Sequence, residues 1–131
     1  MGIGKEQRAR ITLEALIAKK EQALAAKKKP ETAEVYIERM GGTIVLAEPT
    51  KEMLRDAVNM EADGDGYLVY QCCIDPILKN KELQEAYGAA VPHEIVDLVF
   101  KQGEIAALAH QCMVMAGYAD GKVRLVDDLK N

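Results

Sequence analysis

Cys72, Cys73, Cys112, His93 and His110 are the residues whose types could carry nucleophilic or metal chemistry. A catalytic thiol needs a base beside it, and a zinc ion needs four nitrogen or sulfur ligands at close spacing. The cysteines show no C-x-x-C spacing, and the histidines lie seventeen residues apart without the clustered Cys and second His that a zinc site would need. Buried, reduced thiols are expected, with His93 on the surface at a helix start and His110 half-buried beside the Leu108–Cys112 face. The run Glu61-Ala62-Asp63-Gly64-Asp65-Gly66 opens like a calcium loop. With Glu61 at position one, position twelve is Cys72, where a bidentate glutamate is required. An acidic turn between helices is expected there instead. Gly2 and Gly4 precede no strand, and Gly41-Gly42 lies between two β-rich runs, so no glycine loop is placed to cradle a phosphate. These residues therefore predict no catalytic group, no metal and no cofactor.

Charge is distributed unevenly. Residues 1–29 hold eight Lys/Arg against three Glu, a net +5, while residues 30–131 hold nine against eighteen acids, a net −9. A basic arm could neutralise phosphates, which keeps a nucleic-acid-associated regulator or adaptor as the alternative function. The arm has no aromatic residue to stack on bases, and it joins an acidic body, so a solvated helix face is preferred. The same asymmetry permits the arm of one copy to meet the body of another, giving self-association.

The elements that must position these residues follow from periodicity. With 131 residues, 49% hydrophobic and only 5% aromatic, the chain has the size of one domain with an appendage and a core of aliphatic side chains. No run reaches the roughly 18 apolar residues a bilayer span needs, and the first residues lack the apolar centre of a signal peptide. Residues 5–29 contain no Gly or Pro and are rich in helix formers, predicting one long helix closed by Lys27–Lys29 and Pro30. Its apolar positions Ala9, Leu13, Leu16, Ile17 and Leu24 make a narrow stripe interrupted by Lys20.

Alternation of Val35 and Ile37 against Glu34, Tyr36 and Glu38 predicts a β-hairpin over about residues 33–48 with a two-glycine turn. Thr50 is placed to cap a helix with Met53, Leu54, Ala57, Val58 and Met60 on one face. The run Tyr67–Ile77 is read as a buried helix ending before Pro76. Asn80 caps the next helix and Gly88 closes it, and Pro92 opens another. Beyond Gly103, Ile105, Leu108, Ala109, Cys112, Met113 and Ala116 trace a core helix, and residues 122–128 alternate as a closing strand or extended tail. The fold class is α+β, mainly helical: a protruding N-terminal helix over 1–29, then one domain over 30–131 made of the hairpin and a bundle of short helices.

Tyr67-Leu-Val-Tyr70, the run from Asp75-Pro-Ile-Leu through Ala86-Tyr-Gly88, and Gly103-Glu-Ile-Ala106 resemble the XkdN-like phage tail assembly chaperones of phages and defective prophages of Gram-positive bacteria. The resemblance extends over most of the chain. It implies a non-enzymatic protein of the bacterial cytoplasm that binds the tape measure protein during tail assembly and is absent from the mature virion. It further implies contact with the tail tube protein through a longer frameshifted form, and the present chain would match the short form. A tape measure is a long helical protein with apolar stripes, so the arm face of Leu13, Leu16, Ile17 and Leu24 is the expected partner-binding surface.

Overall fold

Thr12 starts the first helix. In the computed structural model, which describes residues 9–118, its hydroxyl accepts the backbone N–H of Ala15 at 3.1 Å, filling one donor that a helix start leaves open. Helix α1 is Leu13–Ala18 and α2 is Lys20–Lys28. The single long helix expected over 5–29 is therefore corrected to two short ones, parted at Lys19 with φ −93° and ψ 5°. Helix α1 buries no residue, so local propensity alone supports it, and helices of this length are marginal on propensity alone. Residues 5–8 of the expected helix, and the expected closing strand at 122–128, lie outside the described residues.

The chain divides into two units. Residues 9–30 are the described part of the first, and Glu31–Tyr118 form the second.

Within the second unit, β1 Thr32–Ile37 and β2 Gly42–Ala47 pair antiparallel, with Val35 opposite Ile44 and Ile37 opposite Gly42. Ile37, Ile44 and Leu46 are buried while Tyr36 is exposed, as the alternation requires. The connection is longer than the expected two-glycine turn. Glu38–Met40 form one turn of 3-10 helix, closed by Gly41 at φ 65°, a left-handed conformation suited to glycine. Gly41 N–H reaches Ile37 C=O at 2.9 Å, so the turn needs those three residues, and Gly42 is already in the strand.

Thr50 caps α3 (Lys51–Asn59), its hydroxyl accepting from Met53 N–H at 3.1 Å. Met53, Leu54 and Ala57 pack on the core, whereas Val58, placed on that face by the sequence, is 80% exposed. Helix α4 (Gly64–Cys72) buries Leu68, Val69 and Cys72. It stops short of the expected end, because Cys73–Asp75 turn into β3 and pair with the open side of β2, Cys73 opposite Leu46 and Asp75 opposite Val45. A strand there satisfies backbone groups of β2 that a continued helix would leave unmet. The Asp75–Pro76 peptide is cis, and the sheet order is β1-β2-β3.

Asn80 caps α5 (Lys81–Ala86), its side chain accepting from Leu83 N–H at 2.8 Å. Gln84 is the buried polar side chain of the core among the described residues, and its amide donates to Leu78 C=O at 3.0 Å. A 3-10 turn at Pro92–Glu94 leads into α6 (Ile95–Val99), and α7 runs Gln102–Met115. Gly103 falls inside the first turn of α7; the break between these helices lies at Phe100 and Lys101. Ile105, Leu108, Ala109 and Cys112 are buried along α7.

Arg39, in the hairpin turn, locks the sheet to this helix pair. Its guanidinium donates twice to Glu104, at 2.8 Å each, and once to Val99 C=O at 3.0 Å. The Arg39 guanidinium, together with Lys101 N–H, holds the Glu104 carboxyl down at about 2. An unfolded glutamate titrates near ~4.3, so the contribution of this pair is complete above that pH and is lost as pH falls toward 2. Glu104→Gln is expected to be less stable than the parent at neutral pH, and the gap in urea midpoint is expected to close progressively below about pH 4.3. A gap that stays constant down to acid pH would remove the role assigned to the ion pair.

Candidate functional site

The arm presents its apolar positions to solvent. Leu13 is 70% exposed, Leu16 58%, Ile17 61% and Leu24 56%. Leu13, Leu16 and Ile17 share α1 at helical spacing, and Leu24 stands on α2 beyond the break at Lys19. Ile11, just ahead of the Thr12 cap, is also exposed; it lies off the 3-4 spacing that runs from Ala9 through Leu13, Leu16 and Ile17, and that spacing therefore passed over it. Four lysines, Lys19, Lys20, Lys27 and Lys29, are exposed along the same segment.

The three cysteines gather in the core, and the two histidines do not join them. All three cysteines are buried and free. Burial pushes the Cys73 thiol up to about 11, and its S–H donates to Pro76 C=O at 3.3 Å. The hydrogen bond between Cys72 and Cys112 lowers the Cys72 thiol and, together with burial, pushes the Cys112 thiol up. His93 is exposed, and so is His110, where the sequence suggested half-burial: it sits on α7 away from the buried positions 105, 108, 109 and 112. No hydrogen bond joins a histidine to a cysteine among the described residues. Asp63 begins α4 with a left-handed backbone, and burial, then the charge of Asp97, raise its carboxyl. No group of three His, Cys, Asp or Glu able to hold a metal ion occurs among the described residues.

Two grooves escaped the sequence reading. Val58, Leu54, Pro49 and Tyr118, together with the polar Glu48, Lys51, Arg55 and Asn59, line a mixed groove of about 460 Å³ at α3. A second groove, of about 510 Å³, lies between the hairpin and α7, with Tyr36, Ile37, Ala107 and Leu108 on its walls. Conversely, the apolar stripe of α7 is enclosed in the core at Ile105, Ala109 and Cys112, and only the edge of Leu108 reaches the wall of the second groove.

A family model described as phage XkdN-like tail assembly chaperone protein matches residues 50–130. The chain belongs to the XkdN-like phage tail assembly chaperones. The match takes in α3 to α7 and leaves out the arm and the hairpin, so what these chaperones share here is the helical body. The Tyr67–Tyr70 and Gly103–Ala106 segments that carried the resemblance supply Leu68, Val69 and Ile105 to its core. The fold is similar to that in a crystal structure of the protein yqbn, with a TM-score of 0.52 and 22% identity over 70% of this chain and 88% of that one. No curated protein matches the chaperone. No helix among the described residues is long and apolar enough to cross a membrane.

Proposed function

We propose that this tail assembly chaperone binds the phage tape measure protein in the host cytoplasm while the tail is built and is absent from the finished tail. The face of Leu13, Leu16, Ile17 and Leu24 makes the contact. The observation that carries this reading is the exposure of all four side chains on helices of which α1 buries nothing. Exposed apolar side chains at helical spacing mark a surface that a partner covers, and a helical partner with apolar stripes offers the complementary face. The neighbouring lysines keep the uncovered arm soluble. A longer frameshifted form would carry the contact with the tail tube protein.

The test is co-expression with the tape measure protein. Leu16→Asp with Ile17→Asp is expected to reduce soluble tape measure to the level seen without chaperone. The urea midpoint of the chaperone itself should stay nearly fixed, since surface substitutions typically stay within about 0.5 kcal/mol. Full solubilisation by the double variant would place the contact elsewhere, with the Val58 groove next to be tested.

A further inference from the structure

β1 is an outer strand of the sheet, and among the described residues only one of its sides is paired. Glu48 N–H donates to Glu31 C=O at 2.7 Å, which makes that pair a hydrogen-bonded one. By the alternation of an antiparallel ladder, Ala33–Leu46, Val35–Ile44 and Ile37–Gly42 are hydrogen-bonded pairs too. The N–H and C=O groups of Thr32, Glu34 and Tyr36 therefore point away from β2, and none bonds to another described residue. All three residues are exposed. Such a row is a template for a further strand unless a bulge, a proline or a covering element blunts it. The β1–β2 register runs unbroken from Thr32 to Ile37, and β1 contains no proline.

The groove between the hairpin and α7 opens at the Tyr36–Ile37 end of this edge. Arg39 and Glu104 also line it, but they neutralise each other at 2.8 Å. What remains is apolar surface from Tyr36, Ile37, Ala107 and Leu108 with the acid Glu38 on its wall, while Glu34 stands exposed on the other face of β1 from Ile37. Glu34 accepts the Thr43 hydroxyl at 2.7 Å and has no cation within salt-bridge distance among the described residues.

We propose that the β1 edge takes up an extended segment of a protein partner in which apolar residues alternate with lysine or arginine. Side chains of an added strand alternate between the two faces of the sheet. One set enters the apolar groove, and the other stands beside Glu34 with opposite charge. A second copy of β1 is a poorer occupant. In the antiparallel register centred on residue 34 it sets Glu34 opposite Glu34, where like charges destabilise a strand pair, and in the shifted registers it sets Thr32 or Tyr36 there, because β1 carries no cation to offer. β1 belongs to the second unit, and its edge takes up such a segment whether or not the arm binds the tape measure protein.

The probe is a short fluorescent peptide of alternating valine and lysine, titrated against the full chain by anisotropy. Saturable binding is expected, about tenfold weaker with Glu34→Lys, where attraction becomes repulsion. Tyr36→Pro removes an N–H that faces outward, which an edge strand tolerates, and is expected to weaken binding about fivefold for one lost backbone bond. On the unaltered chain, methylating peptide nitrogens that face β1 should abolish binding, while methylating the intervening ones should leave it intact. That pair of peptides decides the matter even if Tyr36→Pro fails to fold. The proposal is overturned by absence of saturable binding, by equal effects of the two methylation patterns, or by indifference to Glu34→Lys. A concentration-dependent dimer that Tyr36→Pro dissolves would overturn it in favour of a second copy.

Discussion

Leu46→Ala is expected to lower the stability of this chaperone by about 2–5 kcal/mol, the range for emptying a fully enclosed leucine site. Leu46 has no exposed surface and occupies the middle strand, opposite Ala33 on one side and Cys73 on the other. Hydrogen-bonded strands flank it on both sides, so the backbone has little freedom to close over the lost volume. A small domain is typically stable by only about 5–15 kcal/mol, and the loss would consume a large part of that. Urea unfolding should show a lower midpoint at an unchanged slope. Val58→Ala supplies the comparison: its side chain is 80% exposed, and its midpoint is expected to stay close to the parent's. Equal shifts for the two variants would mean that the sheet does not carry the core in the way described.

Elements that announce themselves through local chemistry were legible in the sequence. The Thr50 and Asn80 side chains could be assigned as caps because a hydroxyl or amide oxygen ahead of a helical run has one evident use, and both accept the N–H expected of them. The alternation in β1 and the buried face of α7 were legible for the same reason: each is periodic against its own backbone. What could not be read depends on other parts of the chain. Cys73–Asp75 form a strand because β2 offers them an edge, and nothing within Tyr67–Ile77 marks where helix gives way to strand. Val58 is exposed because the docking of α3 selects which part of its apolar arc faces the core. The break at Lys19 reflects the lack of packing against α1, which no propensity records. For the candidate site, apolar spacing located Leu13, Leu16, Ile17 and Leu24, but spacing carries no information on exposure. The open edge of β1 depends on sheet order, which is a property of three segments together.

Gly64→Ala is expected to destabilise the chaperone by about 1–3 kcal/mol, the usual cost of forcing a methyl group into occupied space. A Cβ at position 64 would lie 2.5 Å from the backbone oxygen of Ala57 and 3.3 Å from its carbonyl carbon. Both atoms belong to α3, which packs against α4, so relief requires the two helices to move apart and not the swing of a side chain. The sequence DGDG therefore has a packing reason for its first glycine that a reading as an acidic turn does not supply. Gly66→Ala is the graded comparison, because its Cβ would meet the carboxylate of Asp63, the far end of a side chain that can rotate. A smaller loss is expected there. Gly103→Ala should act in the opposite direction: its Cβ would meet nothing within 4 Å, and the position lies in the first turn of α7. Replacing a helical glycine by alanine typically stabilises by about 0.5–1 kcal/mol. Urea midpoints should then rank Gly64→Ala lowest, Gly66→Ala between it and the parent, and Gly103→Ala highest. A Gly64→Ala midpoint equal to the parent's would show that α3 yields at its C-terminal turn, and that the close approach at Ala57 does not fix the α3–α4 packing.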